Sequence, residues 1–158
     1  MKEKTCCFTG HRELPADRYS AIALKTETVI EELIQKGYRY FGAGGALGFD
    51  TLAAQAILRL QKRYPEICLI LVLPCPEQSA GWSSENKRIY EEIKAAAHKV
   101  VYTSESYTKG CMHKRNRHLA DNSSICIAYL TKEKGGTFYT VNYARKKGIL
   151  VINVADLL

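Results

Sequence analysis

Seven consecutive apolar residues, Ile67 to Leu73, lie between Glu66 and Pro74. The run falls far short of the ~18 apolar residues needed to cross a bilayer, and it lacks the alternation of a strand with one wet face. It predicts a central strand of a parallel sheet, covered on both sides. Parallel neighbours cannot be joined by a tight hairpin, so the rest of the chain must supply crossover helices.

The flanking sequence has that form. Thr5 to Thr9 reads as a first strand ending at Gly10-His11-Arg12. Asp17 to Lys36 then carries Ile22, Val29, Ile30, Leu33 and Ile34 at near-helical spacing before Gly37. Tyr38 to Gly42 predicts the second strand, and Phe49 to Tyr64 a helix that stops before Pro65. After the apolar run, Pro74-Cys75-Pro76 breaks the pattern, and Ser83 or Ser84 caps a helix to about Ala97. Lys99 to Tyr102 forms a fourth strand. Residues 111 to 121 predict a helix, Ile125 to Leu130 a fifth strand, Thr137 to Lys147 a helix ended by Gly148, and Ile149 to Val154 a last strand. This alternation specifies the α/β class: one Rossmann-like domain over residues 1–158, a three-layer sandwich around a mostly parallel sheet.

A formal charge of +7 favours anionic partners, but the basic residues are spread along the chain and do not separate a nucleotide from a nucleic acid. Met1-Lys2-Glu3-Lys4 runs straight into a strand with no signal-peptide pattern, so a cytoplasmic protein without membrane contact is expected. The six cysteines show neither Cys-x-x-Cys nor zinc-finger spacing, and no metal site is expected. Cys6, Cys7, Cys68 and Cys126 sit in apolar strands and read as buried reduced thiols, whereas Cys75 and Cys111 fall in loops and read as more exposed.

Ligands of an open parallel sheet bind at the carboxyl ends of its strands, beside helix N-termini with free N–H groups. Gly42, Gly44, Gly45 and Gly48 enter a helix there and make a phosphate cradle, or else a tight turn that needs glycine for geometry alone. Gly135-Gly136-Thr137 makes a second such turn. Neither loop has the spacing of a dinucleotide fingerprint or a P-loop, which disfavours a dehydrogenase or an ATPase. Asp50 either caps its helix or holds ribose hydroxyls, and Arg12, Arg115 and Arg117 are candidate phosphate partners. No serine or cysteine is placed to pair with His11 or His113, so a hydrogen-bonding role is expected for both. Trp82 stacks on a base or lids the core, and ten scattered tyrosines define no stacking platform by themselves.

In order along the chain, Thr9-Gly10-His11-Arg12, Gly44-Gly45-Ala46-Leu47-Gly48-Phe49-Asp50, Met112-His113-Lys114-Arg115-Asn116-Arg117 and Gly135-Gly136-Thr137 resemble the motif set of the SLOG superfamily. Pro74, Gln78 and Trp82 extend the likeness to its YpsA-like branch. The resemblance implies a nucleotide or nucleotide-derived phosphate ligand bound by Gly10, His11, Arg12, Gly44, Gly45, Gly48, Asp50, Arg115, Asn116, Gly135, Gly136 and Thr137. Trp82 would lie over the base. It also implies a homodimer, and no cofactor beyond the nucleotide-like ligand.

Two related families imply alternatives. Lonely Guy phosphoribohydrolases cleave the base from a nucleoside monophosphate, and Arg115 matches their catalytic arginine. Asn116 replaces their lysine, however, and Thr140 stands where they carry a glutamate, so that activity would require Asp50, Asp121 or Glu85 to supply the carboxylate. DNA-processing protein A has a similar glycine loop and Arg-Asn-Arg segment, and it keeps single-stranded DNA as a second alternative.

Overall fold

The structure, a computed structural model, describes residues 1–158. Its six strands are β1 (Thr5–Gly10), β2 (Tyr40–Ala43), β3 (Cys68–Leu73), β4 (Lys99–Tyr102), β5 (Ile125–Tyr129) and β6 (Leu150–Asn153). They form one sheet in the order β4-β3-β2-β1-β5-β6, and every neighbouring pair is parallel. The expected mostly parallel sheet is therefore parallel throughout, with the apolar run of β3 paired on both sides.

The five connecting helices are α1 (Tyr19–Gln35), α2 (Phe49–Leu60), α3 (Ser84–Ala96), α4 (Cys111–Asp121) and α5 (Gly136–Lys146). Strand residues alternate between two cores: Cys6 and Phe8 pack with α1, α2 and α3 on one face, and Cys7 packs with α4 and α5 on the other. Three layers result. Buried Ala53, Ala54 and Ala56 let α2, the middle helix of its layer, approach the sheet closely. No helix is long and apolar enough to cross a membrane.

Two departures from the sequence reading have local causes. The second strand begins at Tyr40, not Tyr38, because Gly37 turns left-handed (φ +99°) and the Tyr38 N–H returns to the Leu33 carbonyl at 3.0 Å. This closes the end of α1 and uses Tyr38 as part of its cap. Cys75 and Cys111, expected in exposed loops, are 0% and 2% exposed. The turn after β3 folds beneath the start of α4, which brings the two thiols near each other. All six cysteines are free thiols.

The sheet order positions the site. From β1 the chain moves outward through β2, β3 and β4, then returns to place β5 on the opposite side of β1. The loops after β1 and β5 therefore diverge, and a crevice opens between them at the carboxyl edge.

Candidate functional site

A stack of aromatic rings anchors the crevice from below. Phe8 meets Phe41 and Phe49 at centroid distances of 6.3 and 6.4 Å, and Phe49 stacks on Tyr129 at 6.1 Å. Phe49 is the first residue of α2, and its N–H donates to the His11 carbonyl at 3.1 Å. Any Cβ at Gly10 would collide with the Phe49 ring, so glycine there is what lets β1 and the start of α2 meet.

Above this floor lies a cavity of about 250 Å³. Thr9, Gly10, His11 and Arg12 line it from the end of β1, and Ala46 and Asp50 from the start of α2. Met112, His113, Arg115 and Asn116 come from α4, and Lys134, Gly135, Gly136 and Thr137 from the start of α5. Gly135 turns with φ +93° to begin α5, whose first free N–H groups border the cavity. His11 is fixed by accepting the Thr131 N–H on Nε2 at 2.9 Å, which ties the loop after β5 to the loop after β1. Burial, and secondarily Lys132, lowers its pKa from the ordinary histidine value. Arg12 and Lys134 are exposed and make no hydrogen bond or ion pair.

Arg115 is 4% exposed and is held from several sides. Its Nη1 donates to the Gly44 carbonyl and to Gln78 Oε1 at 3.3 Å, its Nε to Asn116 Oδ1 at 2.7 Å, and its Nη2 faces Met112 Sδ at 3.8 Å. Gln78 also donates to the Gly45 carbonyl at 3.2 Å, so one side chain links the glycine loop to the arginine. Asp50, 6% exposed, accepts the Ala46 N–H at 3.3 Å. Burial raises its pKa to about 6, opposed by the nearby Arg115 and Arg12 charges. Burial lowers the Arg115 pKa, and Asp50 opposes that in turn.

Nine of the twelve sequence-nominated ligand residues thus meet around one cavity: Gly10, His11, Arg12, Asp50, Arg115, Asn116, Gly135, Gly136 and Thr137. Gly44, Gly45 and Gly48 do not line it. Gly44 lies against the Arg115 guanidinium, Gly45 (φ +73°) against Leu73, and Gly48 (φ +77°) against the backbone of His11 and Arg12. Trp82 lines a separate cleft on the far side of Arg12. Arg117 points away and donates to the Tyr139 hydroxyl at 3.1 Å. The sequence reading did not nominate Lys134, which carries no pattern of its own, or Thr9, Ala46, Met112 and Gln78, whose only signal was their place in the ordered motif set.

The family model described as the YspA SLOG family matches residues 7–150. The chain belongs to this family. It is 33% identical over 135 residues to the SPbeta prophage-derived protein YoqJ of Bacillus subtilis, covering 77% of this chain and 79% of that one. It is 30% identical over 118 residues to a UPF0398 protein of Bacillus thuringiensis, covering 73% of this chain and 64% of that one. Among solved structures, this SLOG chain is similar to DNA processing protein A from Helicobacter pylori, described for its single-stranded DNA binding mode. The TM-score is 0.67 at 19% identity, over 95% of this chain and 64% of that one. The same protein from Streptococcus pneumoniae gives 0.68 at 19% identity, over 95% and 50%. These likenesses establish the SLOG fold, and this chain spans only part of the longer proteins.

Proposed function

We propose that the cavity binds the phosphate of a nucleotide or nucleotide derivative. The reading rests on one convergence: the free N–H groups at the start of α5 point to the same space as Arg12 and Lys134, two cations without protein partners. A charge-assisted hydrogen bond contributes about 1.5–3 kcal/mol, so two of them with a helix terminus approach the ~8 kcal/mol of a micromolar complex before ordering costs. Micromolar or weaker affinity is expected. Asp50 would hold sugar hydroxyls, and the nearby Arg115 and Arg12 charges offset its repulsion of a phosphate.

Nothing in the cavity favours phosphoribohydrolase chemistry through Thr140. That side chain is 3% exposed and donates to the Gly136 carbonyl at 2.8 Å. Asp121 accepts the Tyr143 hydroxyl and Glu85 pairs with Arg88, both away from the cavity, which leaves Asp50 as its one carboxylate.

A thermal-shift screen with nucleoside mono-, di- and triphosphates, NAD, ADP-ribose and a short single-stranded DNA tests the reading. A ligand at 100 times its Kd adds about 2.7 kcal/mol of stability. A shift with one nucleotide class that disappears in Arg12→Ala and Lys134→Ala supports it, and no shift with any nucleotide overturns it.

One observation favours a second reading, single-stranded DNA. The scattered tyrosines include a row of rings on the outer seam of α4 and α5: His113 and Tyr139 at 4.1 Å, then Tyr139 and Tyr143 at 6.4 Å. Arg117 and Lys147 flank the row. Rings beside cations suit successive bases of a single strand, and His113 joins the row to the cavity.

A further inference from the structure

The cleft that holds Trp82 adjoins the cavity, and the two recesses have Arg12 as a common wall. The cleft is about 250 Å³ and is chemically unlike the cavity. Leu47, Trp82, Ile89 and Tyr90 give it apolar and aromatic sides, and Trp82 is held edge-to-face against Tyr90 with centroids 5.1 Å apart. The Arg12 and Asn86 side chains and the buried Tyr90 hydroxyl are polar groups of this lining without a hydrogen-bond partner. The Asn86 side-chain amide makes no hydrogen bond, although the Asn86 backbone N–H is capped by Ser83 Oγ at 3.2 Å.

An aromatic slot with a free amide is suited to a nucleobase, whose face stacks and whose edge offers both donors and acceptors. The cavity across Arg12 is suited to an anion. We infer that the two recesses form one bipartite site for a nucleoside 5′-monophosphate, with the base on Trp82, the Asn86 amide on its edge, and the phosphate beyond Arg12. This deepens the proposed function and rests on it. Arg12 then sits between base and phosphate, next to Asp50 on the cavity side, where the sugar must pass.

Trp82 is the chain's single tryptophan, so its fluorescence reports the cleft alone. The experiment titrates AMP, GMP, CMP and UMP against ribose 5-phosphate and inorganic phosphate, following both calorimetric affinity and tryptophan emission. At least one nucleotide is expected to quench Trp82, while ribose 5-phosphate binds without quenching. Base stacking of about 1–3 kcal/mol converts to a nucleotide affinity roughly 5- to 150-fold above that of ribose 5-phosphate. Asn86→Ala, which removes a partly exposed amide, is expected to lower nucleotide affinity and leave ribose 5-phosphate unchanged. Equal affinities with unchanged emission overturn the bipartite site and leave the anion cavity standing. No binding of any of the six probes overturns the bipartite site, and the absence of any thermal shift with the di- and triphosphates, NAD and ADP-ribose as well overturns the proposed function with it.

Discussion

The Arg115 guanidinium occupies the space that a side chain at Gly44 would need: an ideal Cβ at position 44 falls 2.6 Å from Nη1. The glycine loop is thus shaped around a buried arginine of this same chain. Arg115 in turn neutralises part of the Asp50 charge and satisfies the Gly44 carbonyl and Gln78.

Gly44→Ala is therefore expected to destabilise the fold by about 1–3 kcal/mol, the usual cost of overpacking a closed site. Arg115→Ala is expected to cost more, about 3–5 kcal/mol, because it leaves Asp50 buried without its main countercharge. Arg115→Met, which keeps most of the volume, should fall between wild type and Arg115→Ala. Urea unfolding midpoints check the ranking, and an Arg115→Ala protein of unchanged stability would contradict it. Loss of ligand binding in Arg115→Ala would also follow from this structural role, so Arg12 and Lys134 are the informative positions for binding.

Asp50 makes a signed prediction about pH. Its folded pKa of about 6 lies above the ordinary carboxylate value, so the native state holds this proton more tightly than the unfolded chain does. Between about pH 4 and pH 6 the folded state binds more protons, and its stability falls as pH rises through that window, by roughly 2–3 kcal/mol. Asp50→Asn keeps an oxygen for the Ala46 N–H and should abolish the decline. Chemical denaturation at pH 4.5 and 7.0 on both proteins measures it, and an identical pH response in the two would refute the assignment.

His11 acts in the opposite direction. Because Nε2 accepts the Thr131 N–H, neutral His11 carries its proton on Nδ1, and protonating Nε2 breaks the tie between the two loops. Its folded pKa is lowered, so this contribution is present above the ordinary histidine value and is lost as pH falls from there through the folded pKa. Nitrogen NMR should find the Nδ1–H tautomer at pH 7.5. Acidification should accelerate exchange of the Thr131 amide, and a protected Thr131 amide in the presence of charged His11 would rule the mechanism out.

Periodicity made the fold legible because each strand and helix carries its own local pattern, and even β6 and α5 are bounded by Gly148 and Gly135. The cavity was legible in part, since the parallel topology sends every loop after a strand to one edge. The role of Gly44 was not. A glycine that makes room for a phosphate and one that makes room for an arginine 71 positions later look the same in sequence. The ring row was hidden for a similar reason: Tyr139 and Tyr143 are one helical turn apart, but His113 arrives from another helix. The separation of Trp82 from the cavity depends on the fold of the turn after β3, which no local pattern encodes.

The ring row yields a prediction that separates the two ligand classes. If single-stranded DNA runs along His113, Tyr139 and Tyr143, Tyr139→Ala should weaken DNA binding by about 1–3 kcal/mol and leave mononucleotide binding intact. DNA affinity should also fall steeply with added salt, because each phosphate contact releases counterions, whereas a mononucleotide with one phosphate should show a shallow slope. Fluorescence anisotropy of a labelled oligonucleotide between about 50 and 200 mM salt measures both quantities. A steep slope with no effect of Tyr139→Ala would place DNA on another basic surface and remove the ring row from the argument.

Thr140 bears on the remaining alternative. Its hydroxyl is engaged with the Gly136 carbonyl inside α5, and its side chain faces packing rather than the cavity. A glutamate there would place a carboxylate at a position that is 3% exposed, at a cost of several kcal/mol if it stays ionised. Thr140→Glu is accordingly expected to lower the melting temperature without producing base release from any nucleoside 5′-monophosphate, followed by chromatography. Release of free base by the variant would mean that this position reaches the sugar after all, and that the missing glutamate alone separates the chain from hydrolysis.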